Sequence, residues 1–182
     1  MPATDISPNV DNYFVGAGIV SWSPTGPTGP YIDIGNVSKF EFSVIATRLK
    51  HYSSRTGIRR KDADVVTQMD ATVAITMDEV TAHNLSLHLL STDPGGASPI
   101  MLNIGDTPEI NGALRLVGTN DIGANVQVDL PSVLIAPTGA IGLINNGAWG
   151  EIVLQAEINA DVTTGVFGRV AWDTGGALQA YP

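Results

Sequence analysis

A chain of 182 residues, 43% hydrophobic and without cysteine, fits one domain with a sizeable buried core and no disulfide staple. Its net charge of −9 argues against a general affinity for nucleic-acid backbone, which an acidic surface repels. The start carries an acid where a signal peptide would be basic, and no run approaches the ~18 apolar residues of a membrane span; synthesis in the cytoplasm and no membrane partner are the expectations.

Residues 1–12, with two prolines and no periodicity, read as an N-terminal arm outside the core. Tyr13 to Trp22, rich in Val, Ile, Tyr and Phe, reads as a strand. It stops at the breaker segment Ser23-Pro24-Thr25-Gly26-Pro27-Thr28-Gly29-Pro30, a loop. Asn36 to Val44 alternates, with Phe40, Phe42 and Val44 opposite Glu41 and Ser43. A long basic loop is expected over 47–61, Thr47 to Lys61. Ala71 to Met77 alternates again, Val73, Ile75 and Met77 on one face. In Asn84-Leu85-Ser86-Leu87-His88-Leu89-Leu90 the leucines alternate like a strand, yet Ala82, Leu85 and Leu89 also fit one helical face, with Asp78 and Glu79 suited to a first turn. Later strands are expected around Leu114-Arg115-Leu116, from Val126 to Leu130 until Pro131 weakens or bends the run, over Ile152–Ile158, and from Val166 to Trp172. Residues 173–182 read as a C-terminal tail. Twenty glycines and eleven prolines punctuate these runs as a β-sandwich or barrel requires.

Charge is segregated along the chain. Seven of the nine Lys and Arg lie between Lys39 and Lys61, whereas from Asp62 onward fourteen acids face only Arg115 and Arg169. One basic segment on an acidic chain can be a solvated loop, or it can pair with another copy of the chain.

Catalytic and metal chemistry find little support in the residues. His83 and His88 are five apart and point about 140° apart on a helix, which is wrong for shared chelation. Asp62, Asp64 and Asp70 lack the glycine and the closing glutamate of a calcium loop. Ser53-Ser54 has no evident base, and no Gly-x-Ser-x-Gly elbow is present. No enzyme activity, cofactor or metal is therefore expected. A nucleic-acid site would use Arg55, Arg59, Arg60 and Lys61 on phosphates with Tyr52 stacking on a base, but it would sit on a chain that otherwise repels DNA.

From Asp33 to Leu90 the motifs fall in a distinctive order. Gly35-Asn36-Val37 leads into Phe40-Glu41-Phe42. Leu49-Lys50-His51-Tyr52-Ser53-Ser54-Arg55-Thr56-Gly57 follows, then Lys61-Asp62, Asp70-Ala71-Thr72, and Asp78-Glu79 before the leucine-rich segment. In this order the chain resembles the tail tube (major tail) proteins of long-tailed bacteriophages. The resemblance implies a single mainly β domain over 1–182, a small β-sandwich or barrel with one flanking α-helix and a long loop, and it favours the helix for residues 84–90. It also implies a virion tail protein made in the host cytoplasm, whose copies form stacked hexameric rings. Further partners would be the tail tip and terminator proteins, and double-stranded DNA would pass through the lumen without specific binding. Arg48, Lys50, Arg55, Arg59, Arg60 and Lys61 are then the candidate ring-to-ring contacts. A monomeric surface-binding module, adhesin- or lectin-like, is the alternative from another class.

Overall fold

The alternating runs build one antiparallel sheet. The computed structural model describes residues 13, 16–55, 57–93, 95, 98–120, 123–144, 146–147 and 149–173. Among them the elements are β1 (Gly16–Ser23), β2 (Ile32–Asp33), β3 (Val37–Ser53), β4 (Arg60–Met77), α1 (Ala82–Leu89), β5 (Ile110–Asn120), β6 (Asn125–Ile135), β7 (Ile152–Ile158) and β8 (Arg169–Asp173). Among the described residues the protein is mainly β with a single short helix, as expected. The arm over 1–12, and all of the tail but Asp173, fall outside the described residues.

The strands lie in the order β2-β1-β5-β6-β7-β4-β3, and β8 pairs with β6 off this path. β6 is the pivot. Its Asn125–Asp129 stretch pairs with β8, while Val133–Ile135 pairs with β7. Pro131 stands at the changeover, where the missing N–H costs no ladder bond. It bends the use of the strand without ending it. The edge strand β3 and the Gly16–Val20 stretch of β1, which β2 does not cover, both line one cleft of about 190 Å³, so the sheet curls until its margins face each other.

Period-two patterning fills the interior. Ile152, Leu154, Ala156 and Ile158 of β7 point inward and meet Met77, Ile75, Val73 and Ala71 of β4 in register. Val20 and Trp22 of β1, Leu114 of β5 and Val128 and Leu130 of β6 complete the same cluster. The opposite face of β5 and β6 is closed by polar groups. Asp129 is 2% exposed and accepts hydrogen bonds from Arg115 Nε at 2.6 Å and from Gln127 Nε2 at 2.7 Å. The Arg115 guanidinium stacks 4.3 Å from the centre of the Tyr31 ring, and burial raises the Tyr31 phenol above its ordinary value of 10.0 against the pull of that cation.

The ambiguous leucine-rich segment is helical. Thr81 caps it by accepting from the Asn84 N–H at 3.1 Å, and Leu90 ends it in the left-handed region. Its buried face differs from the expected Ala82–Leu85–Leu89 stripe: Asn84, Ser86, Leu87 and His88 are the buried residues. Polar anchors select that face. Asn84 Nδ2 donates to the carbonyls of Ile34 and Glu79, and His88 Nδ1 lies 3.1 Å from the Val153 carbonyl on β7. Asp78 and Glu79 are not in the first turn. They hold Asn36, whose side chain donates to Asp78 and whose backbone N–H donates to Glu79. Gly35, at φ +81°, lies where a Cβ would run into the Glu79 carboxylate.

Candidate functional site

The segment expected as a long loop over 47–61 is mostly strand. β3 runs unbroken to Ser53 and β4 starts at Arg60, so only six residues separate the two strands. The physical reason is the register. Leu49 pairs with Val65, Lys50 with Asp64 and His51 with Ala63, which brings the cations of one strand beside the acids of the other.

This hairpin outgrows the body. β7 supports β4 only from Ala71 to Met77, so the eleven residues Arg60–Asp70 have β3 as their one strand partner among the described residues. At strand rise that overhang reaches about 35 Å. Among the described residues β3 ends the strand order, leaving its outer edge without a strand partner over 17 residues. Register shifts near Lys39, Arg48 and Tyr52 interrupt the flat ladder. Both faces of the overhang keep apolar side chains in water: Ile45 is 59% exposed, Leu49 67%, Val65 60% and Met69 52%. Single exposed apolar residues are ordinary, but Leu49 and Val65 lie opposite each other on this ladder and are exposed together.

Each of the six candidate contact residues falls on this end. Arg48 and Lys50 lie two apart on β3 and share a face; Arg55 is in the turn; Arg59 precedes β4, which Arg60 and Lys61 open. They are not six equivalent charges. Asp64 binds Arg48 Nε at 3.1 Å and Lys61 Nζ at 3.0 Å, and Arg59 stacks 5.7 Å from the Tyr52 ring centre. Lys50, Arg55 and Arg60 have no ion pair among the described residues. Sequence reasoning missed both the internal counter-ion Asp64 and the apolar ladder. The signal for the ladder was present in Val65 and Met69, in sequence phase with the strand expected from Ala71.

Asp62 and Asp70 are likewise engaged within the hairpin, the first by His51 and the second by Gln68 Nε2. Among the described residues no group of three or more His, Asp or Glu is placed to hold a metal ion. No described helix is long and apolar enough to cross a membrane.

The Asp64 carboxyl is lowered from its ordinary value of 3.8, first by the Lys61 hydrogen bond and then by the one from Arg48. The folded value lies below the unfolded one, so its contribution is complete above 3.8 and disappears as pH falls through the lowered value. Amide exchange at the distal hairpin should therefore quicken on acidification below 3.8, relative to the β4–β7 ladder, and Asp64→Asn should show the fast behaviour already at neutral pH. Equal protection of the two ladders in acid would remove Asp64 from the account of the hairpin.

Residues 13–98 match a family model described as "Protein of unknown function UCP028589", a stretch that runs from β1 through α1 and contains the whole hairpin. No curated protein matches the chain. Among solved structures the chain is similar to one described as "Tail of empty GTA particle computed with helical refinement, C6 symmetry", at 13% identity and a TM-score of 0.43, over 91% of this chain and 96% of that chain.

Proposed function

We propose that this chain is the repeating subunit of a phage tail tube. Six copies close into a ring, rings stack into a hollow tube, and DNA leaves through it without being held. The role is structural rather than catalytic, and other tail proteins cap the two ends. The observation that carries this reading is the β3–β4 hairpin, a ladder with an open edge, exposed apolar side chains and six cations near its tip. On a free monomer such a ladder is an aggregation hazard; between copies it is a contact. Head-to-tail edge pairing with a closing rotation removes open edges from a ring. The acid surplus after Asp62 suits a passage that must release DNA, since every neutralised phosphate strengthens binding.

Size-exclusion chromatography with negative-stain imaging tests the reading, run with and without a tail-tip initiator. Rings or tubes are expected. A 19.0 kDa monomer under every condition would favour the surface-binding module instead. Reversing Arg59, Arg60 and Lys61 to glutamate should block stacking and leave DNA affinity unchanged. An exposed pair contributes only about 0.2–1 kcal/mol, but three reversals repeat at every copy round a ring. High salt should weaken the wild-type contact, because screening at ~0.15 M acts over about 8 Å. A gel shift showing wild-type retention of DNA at moderate salt would sink the passive conduit.

A further inference from the structure

The hairpin tip and helix α1 lie at opposite ends of β4. The strand leaves the turn at Arg60, spans about 60 Å to Met77, and four residues later reaches the Thr81 cap. A tip therefore cannot reach the α1 of its own chain. It can reach that of another.

Beside α1, a cleft of about 300 Å³ opens between the helix, the end of β1 and the start of β5. Trp22, Leu87 and Ile110 make its interior apolar, while Asp93 and Glu109, both exposed, stand at its margin. None of its described lining residues is Lys or Arg, and the chain has neither between Asp62 and Leu114. His83, also in the lining, keeps a buried Nε2 without a hydrogen-bond partner among the described residues.

The tip presents the complementary set. Ile58 is 69% exposed at the turn, and Arg59 and Arg60 follow it directly. We propose that the cleft beside α1 receives the hairpin tip of a second copy, with Ile58 on the apolar interior and Arg59 and Arg60 against Asp93 and Glu109. This rests on the tube reading and names the surface the hairpin meets. The two surfaces differ and sit at opposite ends of the subunit, so the contact is heterologous, and it extends a stack where the rotation between copies does not close. The cleft's shape restricts what enters it. A short aliphatic side chain on a basic turn satisfies both its interior and its margin.

The chain has no cysteine, so introduced thiols report the contact without background. An Ile58→Cys chain mixed with a Thr92→Cys chain under mild oxidation should form a disulfide-linked heterodimer. It should form about tenfold faster than with Thr163→Cys, placed after β7, because docking raises the local thiol concentration. Ile58, Thr92 and Thr163 are all exposed, so the variants should fold. Adding Asp93→Arg and Glu109→Arg to the Thr92→Cys chain should abolish the cross-link, and Arg59→Glu with Arg60→Glu in the other chain should restore it. Cross-linking no faster than the control, or indifferent to the Asp93 and Glu109 reversal, overturns the docking. Tubes seen by microscopy without the cross-link leave the tube reading standing and this contact disproved; a cross-link without tubes does the reverse.

Discussion

A chain lacking residues 50–60 is expected to fold as the intact protein does and to lose ring stacking outright. The buried cluster contains no residue between Phe40 and Ala71, so the deletion removes none of the packing that holds the sheet together. The retained part of the hairpin still pairs Lys39–Thr47 with Gln68–Thr76. Closing a shorter hairpin changes loop entropy little, since that cost varies slowly with length. What disappears is the turn, Ile58, and the cations Lys50, Arg55, Arg59 and Arg60. Circular dichroism and a thermal scan should match the intact chain within a few degrees, on the order of 1 kcal/mol at this size. Electron microscopy should find no tubes. An unfolded deletion variant would make the hairpin part of the body's stability, and surviving tubes would remove it from the stacking contact.

How much of this was legible in the sequence depended on whether a side chain answers to its own strand or to a distant one. β7 was read residue by residue, because Ile152, Leu154, Ala156 and Ile158 alternate with polar neighbours and one face meets the core. The hairpin was read only in its proximal half. There Phe40 and Val73 alternate against a core, whereas beyond Ala71 both faces meet water and period-two patterning has nothing to enforce it. Lys50 read as a loop charge and Asp64 as part of an incomplete calcium loop, until register set them opposite each other. Gly35-Asn36 and Asp78-Glu79 stood out as separate motifs. They are one feature, a glycine turn whose asparagine is held by the two acids 42 and 43 residues later. The helix face was misread because Asn84 and His88 are buried for their hydrogen bonds to Ile34 and Val153, partners that no helical wheel contains. Leu114-Arg115-Leu116 and Val126-Gln127-Val128-Asp129-Leu130 did carry a signal: a charge flanked by apolar residues in each of two strands that prove to be neighbours.

That pair gives the largest expected stability change. Arg115→Leu should destabilise the fold by about 3 kcal/mol, the low end for stranding a buried charge, because Asp129 keeps Gln127 Nε2 at 2.7 Å and Arg169 at 4.0 Å. For a domain of this size the midpoint should fall by about 6–12 °C. The double variant Arg115→Leu with Asp129→Leu should recover most of that loss. Replacing a buried ion pair by apolar groups of similar volume is often neutral, and Arg169, 44% exposed, can return its charge to water. The asymmetry between single and double variant is the diagnostic, since it separates the cost of an unpaired carboxylate from lost packing. Arg115 also covers the Tyr31 ring, and that contact is missing from both variants. A double variant as unstable as the single would mean that Arg115 serves the sheet through its stacking on Tyr31 and not through its charge.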